Sequence, residues 1–337
     1  MRILVTGGAG FIGSNLIHYL LATRPDVEIV NLDKLTYAGN LQNLEDLPDA
    51  RRHTFLRGDV AEPDDVARAF GAGVDQVFHL AAESHVDRSI LDSRAFIHSN
   101  VLGTQTLIDR LRRQGHGRLV HVSTDEVYGS LGPAGRFTET SPLDPTSPYA
   151  ASKAASDLLV LAAVKTHGLD AVVTRCSNNY GPYQFPEKLI PLMITNALED
   201  RPLPVYGDGR QVRDWIHVRD HCAALEVVSR EGRRGEIYNI GGVGGERENL
   251  VIVRTILAAL GKSAALIRHV QDRPAHDRRY AICSDRVLGL GWRGQFDLEA
   301  GLRETVRWYQ EHRAWWEAVK SGAYRSYYEQ QYGKRLG

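Results

Sequence analysis

An α/β fold built on a doubly wound parallel sheet is what this sequence predicts, and three observations carry that prediction. Apolar, β-branched runs of strand length alternate with longer amphipathic segments through the first half of the chain. The first of these units places Gly7, Gly10 and Gly13 between a strand and a helix. A later run, 119–129, is apolar in front and abruptly polar behind, as a buried strand is on reaching the ligand edge of an open sheet.

Taken in order, 2–6 reads as a strand, 7–13 as a glycine turn, 14–22 as a helix and 28–33 as a second strand ending in Asp33. The acid lies about 20 residues beyond the last glycine, the spacing of the dinucleotide fingerprint. Glycines there let the backbone turn tightly and approach a pyrophosphate lying on a helix N-terminus. Asp33 would accept hydrogen bonds from the adenosine ribose hydroxyls and repel a 2′-phosphate, so NAD is expected rather than NADP. A glycine loop packed on its own helix without a ligand is the plainer reading; the βαβ setting and the placed acid argue against it.

The alternation continues with strands over 53–60 and 76–80, helices over 64–70 and 93–113, the 119–124 strand, and a Gly- and Pro-rich loop over 129–148. A helix opens at Tyr149 and is stopped by Gly168; a strand follows over 171–175. Repeated strand–helix units imply right-handed crossovers and a Rossmann-like sheet. Beyond 180 proline and glycine increase, and helices over 187–199, 247–260 and 297–316 alternate with short apolar runs. The expected division is a cofactor-binding domain over 1–180, rejoined by 212–240, with 181–211 and 241–337 as a smaller C-terminal α/β substrate-binding region. The aromatic C-terminus (Trp308, Trp315, Trp316, Tyr324, Tyr327, Tyr328, Tyr332) suits packing or subunit contact better than base stacking.

Composition narrows the classes. The 337 residues are 43% hydrophobic and 24% charged, ordinary for a globular protein. Lys+Arg 41 balances Asp+Glu 41, so no global field favours nucleic acid or an anionic membrane, and an anionic ligand must meet a local basic cluster. Cys176, Cys222 and Cys283 lie far apart, with no C-x-x-C and no His at ligand spacing, which argues against disulfides and against a metal site. The apolar runs fall short of a membrane span, and the glycine turn starts at Gly7, leaving no room for a signal peptide. A cytoplasmic location is expected.

Chemistry gathers at two places. Thr124, Asp125 and Glu126 bring a hydroxyl and two carboxylates to a strand end. Neighbours on a regular strand point to opposite faces, so the chain is expected to leave β geometry by Asp125. Tyr149 and Lys153, four apart on a helix, share one face. Bringing a phenol from near 10 to roughly 6–7 needs about 4–5 kcal/mol of selective phenolate stabilisation. A nearby ammonium plus a cationic nicotinamide would supply most of it. Taken alone, the acids make an ordinary turn and the Tyr/Lys pair an exposed helix face; together, behind a dinucleotide turn, they read as a site.

These residues resemble the extended short-chain dehydrogenase/reductase family. More narrowly they resemble its nucleotide-sugar epimerase/dehydratase branch, over nearly the whole chain. The likeness rests on the runs 6–14, 33–40, 82–89, 123–129, 178–182 and 272–274. Ala275 stands where Gly is usual and Gly245 where Asn is common. The resemblance implies loss of water across C5 and C6 of a nucleotide hexose, dTDP-glucose by preference, with Thr124, Asp125, Glu126, Tyr149 and Lys153 catalytic. It implies a cofactor site of Gly7, Gly10, Phe11, Ile12, Gly13, Asp33, Lys34, Thr36, Asp59, Val60, Leu80, Ala81 and Ala82, with Tyr149 and Lys153. For substrate it points to Ser84, His85, Thr124, Asn178, Asn179, Glu187, Lys188, Leu189, Arg213, Asn239, Arg273 and His276. It also implies a homodimer through sheet-flanking helices. An epimerase or decarboxylase would use the same Tyr/Lys oxidation but has no water to expel, and a silent NAD-binding scaffold would need neither acid.

Overall fold

The computed structural model describes residues 1–242, 244–272 and 277–320, together with 324, 328, 329 and 332. Its centre is a seven-stranded sheet, all parallel. Six strands come from the N-terminal half: β1 (Arg2–Thr6), β2 (Glu28–Asp33), β3 (His53–Arg57), β4 (Gln76–His79), β5 (Arg118–Thr124) and β6 (Ala171–Cys176). The strand Ile237–Ile240 completes the edge beside β6, giving the order Ile237–Ile240, β6, β5, β4, β1, β2, β3. The order reverses between β1 and β4, and in doubly wound sheets ligands bind at that switch point, beyond the carboxyl ends of the strands. Strands buried on both faces explain the continuous Val/Ile/Leu runs of β1, β4, β5 and β6.

Two apolar layers sandwich the sheet. Leu16, Leu20, Val218, Cys222 and Leu225 close one face, and Val66, Phe70, Leu107, Leu111, Val160 and Ala163 the other. A further core gathers Met193, Ile194, Val205, Ile252, Ile256, Tyr309 and Trp316 with the described C-terminal tyrosines Tyr324, Tyr328 and Tyr332. The aromatic tail therefore packs inward at these positions. No helix among the described residues is long and apolar enough to cross a membrane.

Several expected boundaries shift, each for a local reason. β3 stops at Arg57 because the Asp59 carboxylate accepts Ala61 N–H, while Asp59 N–H is taken by Asp65, turning the chain early. The helix expected over 93–113 begins sooner and is interrupted: Val86–Leu91, a turn Arg94–Phe96, a π-helical segment Ile97–Leu102, then Gly103–Gln114. The Asn100 carbonyl there accepts hydroxyls from Thr104 and Ser156, groups that insert into the ladder. The helix over 297–316 breaks at His312 into Leu298–Glu311 and Arg313–Val319. Arg247–Glu248 is a short strand paired with Val212–Arg213, so that helix starts at Asn249. Within 212–240, the stretch expected to rejoin the first domain, Ile237–Ile240 joins the main sheet, whereas Trp215–His217 pairs with Asn178–Tyr180.

The glycine turn is set by close approach. Gly7 has φ +73°, and a Cβ on it would sit 2.7 Å from the Ala81 nitrogen. A Cβ on Gly13 would lie 2.2 Å from the Gly7 carbonyl oxygen. We expect Gly7→Ala to lower unfolding stability by about 1–3 kcal/mol through left-handed strain and overpacking, read as a urea midpoint shift. An unchanged midpoint would contradict this packing.

Candidate active site

Beyond the carboxyl ends of β1, β4, β5 and β6 lies a cavity that the glycine turn and the polar end of β5 share. Gly7, Gly10, Phe11, Ile12, Gly13, Asp33, Lys34, Thr36, Asp59, Val60, Leu80, Ala81 and Ala82 all line it, as do Thr124, Glu126, Tyr149 and Lys153. The whole sequence-derived cofactor set thus falls on one wall system, although its members are spread from β1 to the Tyr149 helix.

Several features fit this cavity to a dinucleotide. The helix Phe11–Thr23 starts with no side-chain cap and no acid in its first turn, leaving its positive end for an anion. A Cβ on Gly10 would meet only the Gly7 carbonyl oxygen, at 3.3 Å, and would otherwise stand in the open space a phosphate needs. Asp33 accepts Ala9 N–H at 2.9 Å and Leu35 N–H at 2.8 Å, one per oxygen, which fixes the carboxylate at the strand end. Each oxygen keeps a lone pair for a ribose hydroxyl. Lys34 and His98 both reach Asp59, at 2.5 and 3.1 Å. Along the cavity, Ser177 Oγ, Asn178 Oδ1 and Gln184 Oε1 are buried and find no partner among the described residues. Buried polar atoms left this way are ligand contacts in waiting.

β5 ends as expected. Thr124 is the N-cap of a single 3₁₀ turn, Asp125–Tyr128, and its Oγ1 accepts Glu126 N–H at 3.3 Å. The turn lets consecutive acids take different surroundings without the strict opposition of a strand. Glu126 lines the cavity. Asp125 is 2% exposed, within 3.4 Å of the Thr124 hydroxyl, and not part of the cavity wall. Burial, then Glu126 and Asp214, push its carboxyl well above the usual range, with Arg213 opposing. Asp125 is therefore biased towards its protonated form, one member of a pair whose surroundings differ.

The helix Pro148–His167 begins with the Ser147 side chain accepting Ala150 N–H and Pro148 in its first turn, and ends on Gly168 in the left-handed conformation. That start puts Tyr149 at the mouth of the site and Lys153 one turn deeper. The Lys153 ammonium donates to the Val122 carbonyl at 2.8 Å, and burial pulls it down to about 8. The protein alone pushes the Tyr149 phenol up: burial leads, Glu126 and Cys176 add to it, and a hydrogen bond with Thr124 opposes it, so the lowering expected from sequence depends on the cationic nicotinamide.

The expected substrate residues divide. Ser84, Thr124, Asn178, Asn179, Glu187 and Lys188 line the cavity. Glu187 is held by Arg88 at 3.2 Å and by the Tyr37 hydroxyl at 3.0 Å, with His85 at 4.0 Å, and Lys188 donates to the Ser84 carbonyl. Leu189 lies off the cavity wall and packs instead on the second core. Arg213 also stands off the wall, its guanidinium over the Tyr280 ring and donating to the Val212 and Asp277 carbonyls. Asn239 is corrected outright: it is 0% exposed, and its side chain is spent on Tyr128 and Phe137. Arg273 and His276 lie outside the described residues. Sequence reading missed Cys176, Ser177, Gln184 and Phe185 on the wall. The first two end β6, so the strand-end rule that found Thr124 would have found them; Gln184 and Phe185 carry no local signal.

A parallel sheet with a glycine turn at its switch point, and a Tyr/Lys pair facing a strand-end hydroxyl, defines a dinucleotide-binding enzyme of the dehydrogenase/reductase kind. Residues 3–241 match the model of the NAD dependent epimerase/dehydratase family, and the chain belongs to that family. A Streptomyces niveus dTDP-glucose 4,6-dehydratase is 51% identical over 326 residues, covering 95% of this chain and 96% of that one. The Streptomyces venezuelae dTDP-glucose 4,6-dehydratase, solved with NAD and dTDP bound, is 51% identical and superposes with a TM-score of 0.91 over 95% of this chain and all of that one. A Thermus thermophilus UDP-glucose 4-epimerase, solved with NAD, reaches a TM-score of 0.86 at 32% identity, over 93% of this chain and all of that one.

The raised carboxyl of Asp125 has a measurable consequence. A carboxyl raised on folding contributes stability that is full below its unfolded value, near 3.9, and lost as pH rises from there. Asp125→Asn, which cannot titrate, should gain stability relative to the parent as pH goes from about 4 to 8 in urea unfolding. A difference that stays flat or shrinks over that window would mean that folding does not raise this carboxyl.

Proposed function

We propose that this protein converts dTDP-glucose to dTDP-4-keto-6-deoxyglucose and water, as an NAD-dependent nucleotide-sugar 4,6-dehydratase. The observation that carries this reading is the acid pair at the end of β5, one member buried with its carboxyl pushed up, the other facing the cavity. An epimerase of the same fold has no oxygen to expel. The relatives named dTDP-glucose 4,6-dehydratase support the substrate.

In this reading Tyr149 takes the proton of the sugar C4 hydroxyl, with the Thr124 hydroxyl orienting that group and Lys153 stabilising the phenolate. The glycine turn and Asp33 would hold NAD, which would supply the hydride acceptor for C4, the donor for C6, and a positive ring charge favouring the Tyr149 phenolate. A ketone at C4 acidifies C5–H, and Glu126 removes that proton. Asp125 gives its proton to the C6 hydroxyl, which leaves as water. C5 is then reprotonated, so the reaction consumes no oxidant. Ser84, Asn178 and Asn179 contact the sugar end, and Lys188 and Arg213 serve the diphosphate. Residues 1–180 with 212–240 form the cofactor side, and 181–211 with 241–337 the substrate side.

We place the working protein in the cytoplasm as a homodimer. Ile90, Leu91, Ile97, Leu102 and Leu158 are exposed on helices flanking one side of the sheet, Leu158 by 57%. Such a patch suits a second copy of the chain. Leu158→Glu should convert dimer to monomer in sedimentation; a parent that already sediments as a monomer would overturn this assembly.

Product analysis of dTDP-glucose and UDP-glucose incubations side by side tests the activity: a 4-keto-6-deoxy sugar supports it, and recovery of a galactose epimer rejects it. Glu126→Gln should still form NADH from bound NAD on adding substrate yet stall before water loss, whereas Tyr149→Phe should form none. Arrest of both at one step would refute these roles.

A further inference from the structure

Under the Tyr149 helix lies a set of buried ionisable groups that the reaction as written does not use. Asp157 follows Lys153 by four residues on that helix, so both project from one face. Asp157 is fully buried and Lys153 nearly so. The carboxylate accepts Arg175 Nε at 2.8 Å from β6 and stands 3.4 Å from His121 Nε2 on β5. His121 and Arg175 together hold the acid below its usual range against burial.

We propose that Asp157 is a positioning residue for the Tyr149/Lys153 pair: its buried carboxylate, one turn beyond the lysine, keeps Lys153 a cation where it must face the phenol. This deepens the dehydratase reading and rests on it only for the step that Lys153 serves. Among the described residues, Asp157 is the carboxylate that acts on Lys153. From β5, Lys153 meets the Val122 carbonyl and His121, and from β6 Cys176. His79 on β4 lies behind, its ring 5.3 Å from that of His121. Burial and Lys153 hold His121 down at about 4, and burial and His121 hold His79 well below the usual range, so both are neutral wherever the enzyme would work. Burial raises the Cys176 thiol to about 12, so it brings no charge at neutral pH. Asp157 is the carboxylate that lifts Lys153 against the cost of its burial. Arg175, which binds the far side of Asp157, packs over the Tyr128 ring at 4.8 Å and fixes the carboxylate.

The direct test needs no substrate. In protein labelled with ¹³C at lysine Cε, the resonance lost in Lys153→Met is followed against pH. The parent should titrate near 8 and Asp157→Asn at least about one unit lower, the size of shift that an opposite charge at close range gives. Asp157→Glu should stay near the parent. Because Asp157→Asn strands a buried guanidinium, Asp157→Asn with Arg175→Met is made as well, and Arg175→Met alone serves as control. The double variant should shift and the control should not. A Lys153 midpoint unmoved in a folded variant lacking Asp157 overturns the proposal, whatever the enzyme's substrate proves to be. In turnover, the alkaline limb of the first hydride step should move down equally, leaving about tenfold less activity above it and near-parent activity on the acid side. A uniform loss at every pH would instead mark a structural role only.

Discussion

The end of β5 must give way to a helical turn at Thr124, and the site follows from that change of geometry. A strand would send consecutive carboxylates to opposite faces. The Thr124 hydroxyl, by taking Glu126 N–H, starts a 3₁₀ turn in which Asp125 goes inward and Glu126 faces the cavity. Burial then separates their surroundings: the carboxyl of the hidden acid is pushed up, while Glu126 is the half-buried member on the cavity wall. One hydroxyl thus starts the turn that gives the two acids different surroundings.

The same side of the sheet spends considerable burial on charge. Lys153, Asp157 and Arg175 are all nearly inaccessible. Ions removed from water need partners, and here the lysine donates to a carbonyl and the aspartate accepts from arginine. Such a cluster is a costly way to stabilise a fold and an effective way to set protonation states in a dry site. The phenol pushed up by its surroundings belongs to this arrangement, since a cation arriving beside it then makes a large difference.

The architecture alone does not select the reaction. A UDP-glucose 4-epimerase shares the fold with a TM-score of 0.86, so sheet order, glycine turn and cavity position are common property. What bears on the reaction in this chain is local: two acids after one threonine, and the burial that treats them differently.

Much of this was legible in the chain itself. Alternating runs gave β1, β2 and β6 nearly to the residue, because strands buried on both faces must be apolar throughout, and glycine spacing located the turn because only glycine tolerates the approach to Ala81. The acids, Tyr149 and Lys153 were visible because strand-end and helix-face spacing are short-range rules. Long-range facts were not visible. The π segment depends on Ser156 reaching Asn100, Asn239 is consumed by Tyr128 rather than offered to a ligand, and Glu187 is drawn to Arg88 and Tyr37. Sequence determined which residues could carry chemistry; packing between distant segments decided which were left free for it and in what protonation state, because desolvation and hydrogen-bond partners are properties of the folded neighbourhood.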